Sequence, residues 1–464
     1  MSALLHLNPI SIRPDESGQT KTHTRFNAGL LFGWIFILLM ILPGSKLSAE
    51  TETERLSLRR ITELALTANI DIKSSRMETK AAGAAKNAAR TFFFPTLNAT
   101  YQYQRNEEEV SSPLFGIITP EEQYTFVASI TQPIFNGFSI RNRFDLAALG
   151  FDIAQANEEL TRQNIRLEAV KVYFNLLKAE KLLRISRETV TQIRTQKDVV
   201  NNFYQVGMSP LNDLLQAEVE LANAKQAVIS ARNRLESAQS ALNVLLRRPV
   251  GSPVRLVDIL DYRPLIFDLE HCLETARKNR VEFTLAELEI TLAQQEIELN
   301  RKDYFPAISV TGSYYRFGDD WRVDGGEAFE DEDTWDIQAT ASWDFWTWGR
   351  PGYNVREKKA RLSQAILQKA RIEDVIRADV KDAYLQTRAA EQLIQTVETA
   401  IEQAEENFRI NQERYKEQVA TSTDVLIAQT LLSRTMTNYY NALYDFKIAK
   451  ATLFRTMGQE VPLE

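Results

Sequence analysis

The chain has 464 residues, 44% of them hydrophobic and 25% charged, with a formal net charge of −7, three histidines and one cysteine. A single cysteine excludes an internal disulfide framework and a thiolate metal cluster, and an acidic chain without a basic stripe excludes a nucleic-acid phosphate backbone as partner. At roughly 100 to 200 residues per domain the length alone would suggest two to four domains.

The first element in chain order is an address. Ala28 to Leu42 form an unbroken apolar run, preceded by Arg13, Lys21 and Arg25 and followed by Pro43-Gly44. That run is short for a membrane span and suits a signal-peptide core. Leu47-Ser48-Ala49 supplies a small residue before the cut, so residues 1–49 read as a signal peptide, with an uncleaved anchor as the alternative. Without them the chain keeps 51 basic and 60 acidic residues, a net charge of −9, and His271 as its sole histidine beside Cys272. A catalytic triad or a histidine-rich zinc site would have to be built on that one imidazole. The plainer reading makes His271 a partly exposed helix residue and Cys272 a small buried hydrophobe. No phosphate-binding loop or dinucleotide fingerprint occurs, so neither enzyme chemistry nor a cofactor is implied.

The remainder is a tandem duplication at a constant offset of 211 residues. Phe94-Pro95 recurs as Phe305-Pro306, and Ile70-Asp71-Ile72 recurs in kind as Val281-Glu282-Phe283. Tyr204, Gly207, Asp213, Leu214, Leu215 and Ala217 recur as Tyr415, Gln418, Asp424, Val425, Leu426 and Ala428. Self-similarity at a fixed period sets organisation before any local assignment does. It divides the chain into a first repeat at 50–249, a linker at 250–266 and a second repeat at 267–464. Each repeat reads as a helix, two strands with a loop, and a long helical hairpin.

The strands alternate with period two. Thr96 to Gln104, Tyr124 to Thr131, Ala307 to Phe317 and Thr334 to Phe345 place apolar residues at every second position, the third least cleanly. At eight to twelve residues they are close to the length of a tilted strand crossing a bilayer, roughly 9 to 11, with a polar face suited to a wet lumen. A half-buried sheet in a soluble protein would alternate in the same way. In lipid, four strands leave two unpaired edges, and a small barrel needs at least about eight strands, so closure would require further copies of the chain.

From about Asp145 to Tyr204 there is no proline and one glycine, Gly150, so a helix of roughly 90 Å is predicted. Val206 to Pro210 stops it. The return helix carries a heptad seam of Leu214, Ala217, Leu221, Ala224, Val228, Ala231, Leu235, Ala238, Leu242 and Leu245. The second hairpin is predicted over 352–415, with a turn at 417–423 and a return to about Thr456. Its seam runs Val425, Ala428, Leu432, Thr435, Tyr439, Ala442, Phe446, Ala449 and Leu453.

The duplicated hairpin motif, the Phe-Pro before each odd strand and the strand pair between long helices resemble the TolC family of outer-membrane efflux proteins, over about residues 56 to 460. The resemblance implies a mainly α fold with a membrane β-barrel portion. Long antiparallel α-helical hairpins would form a trimeric periplasmic α-barrel, and four strands per chain would contribute to a 12-stranded outer-membrane β-barrel. It implies a homotrimer in the outer membrane of a Gram-negative bacterium, set in outer-membrane lipid and extending into the periplasm. Such a trimer would be a passive exit duct of a tripartite efflux or type I secretion system. Its partners would be a periplasmic adaptor and an inner-membrane pump of RND, ABC or MFS type.

The resemblance also makes the hairpin turns the adaptor-contacting tips, here Tyr204, Gly207, Ser209 and Pro210 with Tyr415, Gln418, Thr421 and Ser422, and makes Asp213 and Asp424 the pore constriction. Ile427 stands where the family has a second acidic position, and Gln418 replaces the first turn's glycine, so a thinner acidic ring and a differently shaped second turn are expected. The plain reading of both aspartates is that they sit in a helix's first turn and favour its positive end. A non-conducting periplasm-spanning coiled-coil protein or adhesin is the alternative function. From Asp319 to Asp333 there are eight acidic residues against Arg322; the spacing fits no defined ion loop, so a solvated outer loop is the plainer reading and bridging cations such as calcium the alternative.

Overall fold

The computed structural model describes residues 55–463 apart from 115, 260, 265 and 330–332. The proposed signal peptide therefore lies outside the described residues. The chain begins with β1 (Arg55–Leu56), α1 (Leu58–Ala68) and α2 (Ile70–Thr91), then β2 (Thr96–Arg105), a small ribbon of β3 (Val110–Ser112) and β4 (Gly116–Thr119), and β5 (Glu122–Asn136). The first hairpin is α3 (Ser139–Gln205) and α4 (Leu211–Leu245). After β6 (Arg255–Leu256) the order recurs as α5 (Leu269–Asn279), α6 (Val281–Asn300), a 3₁₀ turn at Arg301–Tyr304, β7 (Ala307–Gly318), β8 (Asp333–Ser342), α7 (Arg350–Lys416) and α8 (Ser422–Thr456).

The single helix expected ahead of each strand pair is two helices. Asn69 breaks the first with an extended backbone, and its side chain accepts from the Asp71 amide to start α2. Arg280 makes the same break before α6. Both long helices are continuous, 67 residues each and so about 100 Å. Each begins at a corner of two successive left-handed residues, Gly137-Phe138 and Trp348-Gly349, with φ of 61°, 65°, 55° and 83°. At Gly137 a Cβ would stand 2.6 Å from the Lys302 carbonyl oxygen, so this corner admits glycine alone.

The four predicted strands form one antiparallel sheet in the order β2-β5-β7-β8. Leu97, Ile130, Gly312 and Ile337 share one rung, and Asn98, Ser129, Ser313 and Asp336 share the next. One face is thus apolar and the other polar, with Thr131 and Thr311 hydroxyls 3.1 Å apart on the polar side. β5 runs beyond its predicted end, through Pro133, where it pairs with β7 alone and bulges; proline removes no ladder bond there because that edge is free. β8 stops at Ser342, three residues before the predicted end at Phe345.

The main core gathers where α1 lies across α3: Leu58, Ile61 and Ala65 meet Ala169, Tyr173, Leu176 and Leu177, with Leu242 and Tyr444 closing over them. The 250–266 segment is tied down rather than slack. β6 pairs in parallel with β1, the Tyr173 hydroxyl donates to the Val257 carbonyl, and the Tyr444 hydroxyl donates to Asp258 over 3.0 Å. Lys181 forms an ion pair with Asp258, and the Tyr262 hydroxyl donates to Glu391 over 3.1 Å. Cys272 is fully buried, and exposed His271 stacks on Phe267 at 5.1 Å, so both residues are structural.

Candidate functional site

Two regions answer to the sequence motifs: the hairpin turns at one end of the long helices and the sheet at the other. At the first turn Gly207 takes φ +77°, its amide donates to the Tyr204 carbonyl over 3.0 Å, and the Met208 amide donates to the Phe203 carbonyl over 2.8 Å. At the second, Gln418 takes φ +60°, its amide donates to the Tyr415 carbonyl over 3.0 Å, and the Val419 amide donates to the Arg414 carbonyl over 2.8 Å. The expectation of a differently shaped second turn is therefore overturned. Gln418 accepts the left-handed conformation that glycine takes freely, because the paired hydrogen bonds at the helix end outweigh a steric cost of about 1 kcal/mol.

The helix starts beyond the turns do differ. Pro210 opens α4 without a side-chain cap, and the Ser209 hydroxyl donates to Asp213 over 3.2 Å. Thr421 opens α8 with a full capping box: the Asp424 amide donates to the Thr421 hydroxyl oxygen over 3.2 Å, and the Thr421 amide donates to the Asp424 carboxylate over 2.9 Å. That backbone amide, with the Thr421 hydroxyl beside it, holds the Asp424 carboxyl below the usual aspartate range. Asp424 thus caps its own helix, and Asp213 is bonded to Ser209.

The tyrosines differ most. Tyr204 is 39% exposed, whereas Tyr415 is 6% exposed in a cluster with Val200, Phe203 and Val425. Burial, and then the Asp213 carboxylate, push the Tyr415 phenol upward, so Tyr415 and Asp213 share one site. The Tyr415 and Ser422 hydroxyls are both buried, and the Ser422 and Ser209 hydroxyls beside Tyr415 oppose part of that upward shift. The two turns touch through Gln418 and the Met208 sulfur at 3.9 Å, and α4 and α8 touch through Thr423 and Gln216 at 3.0 Å. Tyr204 and Gly207 stay on the outside, and the Thr421 side chain is engaged with Asp424.

A polar seam climbs from this cluster along α3 and α8. The Thr189 and Ser433 hydroxyls lie 2.7 Å apart, Gln429 bonds Gln192, and Gln196 is 8% exposed with its amide nitrogen unpaired. Farther along the same helices the contact turns apolar at Phe174 and Tyr444, whose rings lie 6.2 Å apart. The heptad pattern could not flag this seam, because it describes one partner helix while α8 packs on both α7 and α3.

At the sheet, β2 and β8 are exposed along their whole length, with Leu97 at 78%, Trp335 at 71% and Ile337 at 71%. Phe92, Phe93 and Phe94 before β2 and Trp343, Phe345, Trp346 and Trp348 after β8 are exposed as well. Between β7 and β8, Asp319 accepts from the Glu327 amide and Asp320 from the Arg322 amide. Among the described residues no group of acidic, histidine and cysteine side chains could hold a metal ion. Nor, among them, is any helix long and apolar enough to cross a membrane.

Against known proteins, residues 61–246 and 272–459 match the family described as outer membrane efflux protein. The chain is 22% identical over 396 residues to the outer membrane efflux protein BepC of Brucella suis biovar 1, covering 84% of this chain and 83% of that protein. It is 23% identical over 399 residues to the outer membrane protein TolC of Vibrio cholerae, covering 82% and 85%. Among solved structures, the Campylobacter jejuni CmeC outer membrane channel superposes with a TM-score of 0.78 at 17% identity, covering 86% of this chain and 85% of that one.

Proposed function

The chain belongs to the outer membrane efflux protein family, and from that premise we propose that it is the passive exit duct of a tripartite efflux or secretion system. It resides in the Gram-negative outer membrane and extends into the periplasm. The observation that carries the duct is the sheet: four antiparallel strands with one apolar and one polar face, and both edge strands unpaired and exposed. In hydrocarbon each unpaired backbone group costs several kcal/mol, so such a sheet has to close. Because strand direction alternates, β8 of one copy meets β2 of the next antiparallel, and three copies close twelve strands around a polar lumen.

The duct in this reading is a homotrimer whose α3–α4 and α7–α8 hairpins form the periplasmic tube. The exposed turn residues Tyr204, Gly207, Pro210, Gln418 and Thr421, with half-buried Ser209, dock a periplasmic adaptor, which links the duct to an inner-membrane pump; Tyr415 and Ser422, expected among the contacts, are buried behind them and shape the tip from within. Asp213 and Asp424 border the constriction. The duct makes and breaks no covalent bonds; the energy comes from the pump.

Single-channel recording in planar bilayers tests the reading. Purified protein is expected to give discrete conductance steps that grow when Asp213 and Asp424 are replaced by Ala. A trimer that never conducts, with or without those replacements, would leave the structural coiled-coil role instead.

A further inference from the structure

A cavity of about 240 Å³ lies where four separate segments meet: α3, α8, the 250–266 segment and the residues after α8. Its walls are apolar, with Val170 and Phe174 from α3, Phe446 and Phe454 from α8, and Val461. Its rim is cationic, with Lys447, Lys450 and Arg263. The Lys447 amine donates to the Asp261 carbonyl and the Lys450 amine to the Arg263 carbonyl over 3.0 Å, and among the described residues neither forms an ion pair with a carboxylate. An ammonium has three donors, so each lysine can bond a ligand as well as its backbone carbonyl.

Asp261 offsets part of this charge at Lys447. Asp258 is taken by Lys181 and Tyr444, and Glu391 by Tyr262 and Arg388; Asp261 is the one carboxylate lining the cavity among the described residues. Burial pushes both lysine amines downward; at Lys447 the Asp261 carboxylate opposes it while Lys450 and Arg263 add to it, and at Lys450 Arg263 adds to it while Glu391 opposes it. The Lys450 amine also lies 5.9 Å from the centre of the Phe446 ring. An apolar cavity of about 150 Å³ is enough to hold benzene. This one has room for a substituted ring whose charge would face the two lysines.

We propose that this cavity is a binding site for a small amphipathic anion, an aromatic body carrying one carboxylate or sulfonate. The phenylalanines take the ring, and Lys447 and Lys450 take the charge through charge-assisted hydrogen bonds. Because the 250–266 segment supplies part of the rim and is tied to α3, α7 and α8, an anion held here would fasten those helices to one another. The site does not depend on conduction.

The test uses the full chain in detergent and 4-(trifluoromethyl)benzoate, followed by fluorine NMR line broadening. Saturable binding is expected for the benzoate, with the neutral amide analogue bound at least tenfold more weakly. Lys447→Met with Lys450→Met, which keeps the apolar stems, is expected to weaken the benzoate at least tenfold, and Lys447→Arg with Lys450→Arg to retain it. Equal binding of acid and amide, or unchanged binding in the double Met variant, would mean that the lysines only latch the segment and would overturn the proposal. Should the Met variant fail to fold, anomalous scattering from 4-bromobenzoate soaked into crystals of the unmodified protein decides. Bromine between Phe446 and Phe454 supports the site, and bromine elsewhere or none overturns it.

Discussion

The two hairpin turns share a backbone and differ in almost everything attached to it. Gly207 and Gln418 make the same left-handed stop, with the same two amide-to-carbonyl bonds behind each. Yet Tyr204 is exposed where Tyr415 is buried, and Asp213 accepts from a serine where Asp424 completes a capping box. Duplication copies the local chemistry that a turn requires. Exposure is set by neighbours, and α8 packs against α3 of the other repeat as well as its own partner, whereas α4 packs mainly on α3. The second turn is therefore the better anchored, and the Asp213 carboxylate of the first acts electrostatically on its buried Tyr415.

The contrast can be broken most forcefully at the tyrosines. Tyr415→Ala is expected to lower local opening energies by about 3 to 4 kcal/mol, as for other buried aromatics, and Tyr204→Ala by less than about 1 kcal/mol. Hydrogen exchange over 200–215 and 412–425 reads both. Equal losses would mean that the two turns are equivalently packed.

A second asymmetric pair lies at the helix breaks. Glu282 bonds Arg280 over 2.8 Å and Arg455 over 3.1 Å, while its repeat counterpart Asp71 is exposed. Burial pushes the Glu282 carboxyl up, but the two guanidiniums win and hold it at about 2. A lowered pKa contributes stability that is present above the ordinary value of 4.5 and is lost as pH falls towards 2. Glu282→Gln is expected to cost about 1 to 3 kcal/mol at neutral pH, since it leaves Arg280 and Arg455 partly unpaired, and Asp71→Asn less than about 0.5 kcal/mol. Thermal unfolding measured from pH 3 to 7 separates them, because only the first should flatten the acid limb.

The glycine contrast is smaller. A Cβ at Gly207 would meet nothing within 4 Å, so Gly207→Val carries only the backbone cost of about 1 to 2 kcal/mol, and Gln418→Gly should recover up to about 1 kcal/mol. Opposite signs in exchange protection at the two turns are the expected result. Smallest is the acid response of the second turn: Asp424's lowered carboxyl supports the cap above the ordinary aspartate value, so protection of α8's first turn should fade as pH drops below it. In Asp424→Asn that fading should vanish, and its survival would assign the effect to another group.

Much of this architecture is legible in the residues. Period-two alternation locates four strands, and the predicted heptad positions of α4 and α8 are all buried or half-buried. Local rules also find both turns, since a left-handed stop followed by a helix start leaves a signature within ten residues. They fail at Gln418, where the loss of glycine suggests a change of shape although the helix-end hydrogen bonds enforce the same conformation. They also miss the buried glutamines of the α3–α8 seam and the ties across 250–266, which pair residues up to some 240 positions apart.

By itself, then, the sequence determined the inventory: two copies of one unit, strands with a wet and a greasy side, and long uninterrupted helices. Those follow from period, propensity and the scarcity of helix breakers, all of which act within a few residues. Only the tertiary structure decided which copy of each pair is buried, which aspartate is spent on a cap, and that three cations gather over an aromatic cavity with no carboxylate among the described residues paired to either lysine. Such outcomes depend on packing between segments far apart in the chain. Identical local patterns remain free to meet different neighbours.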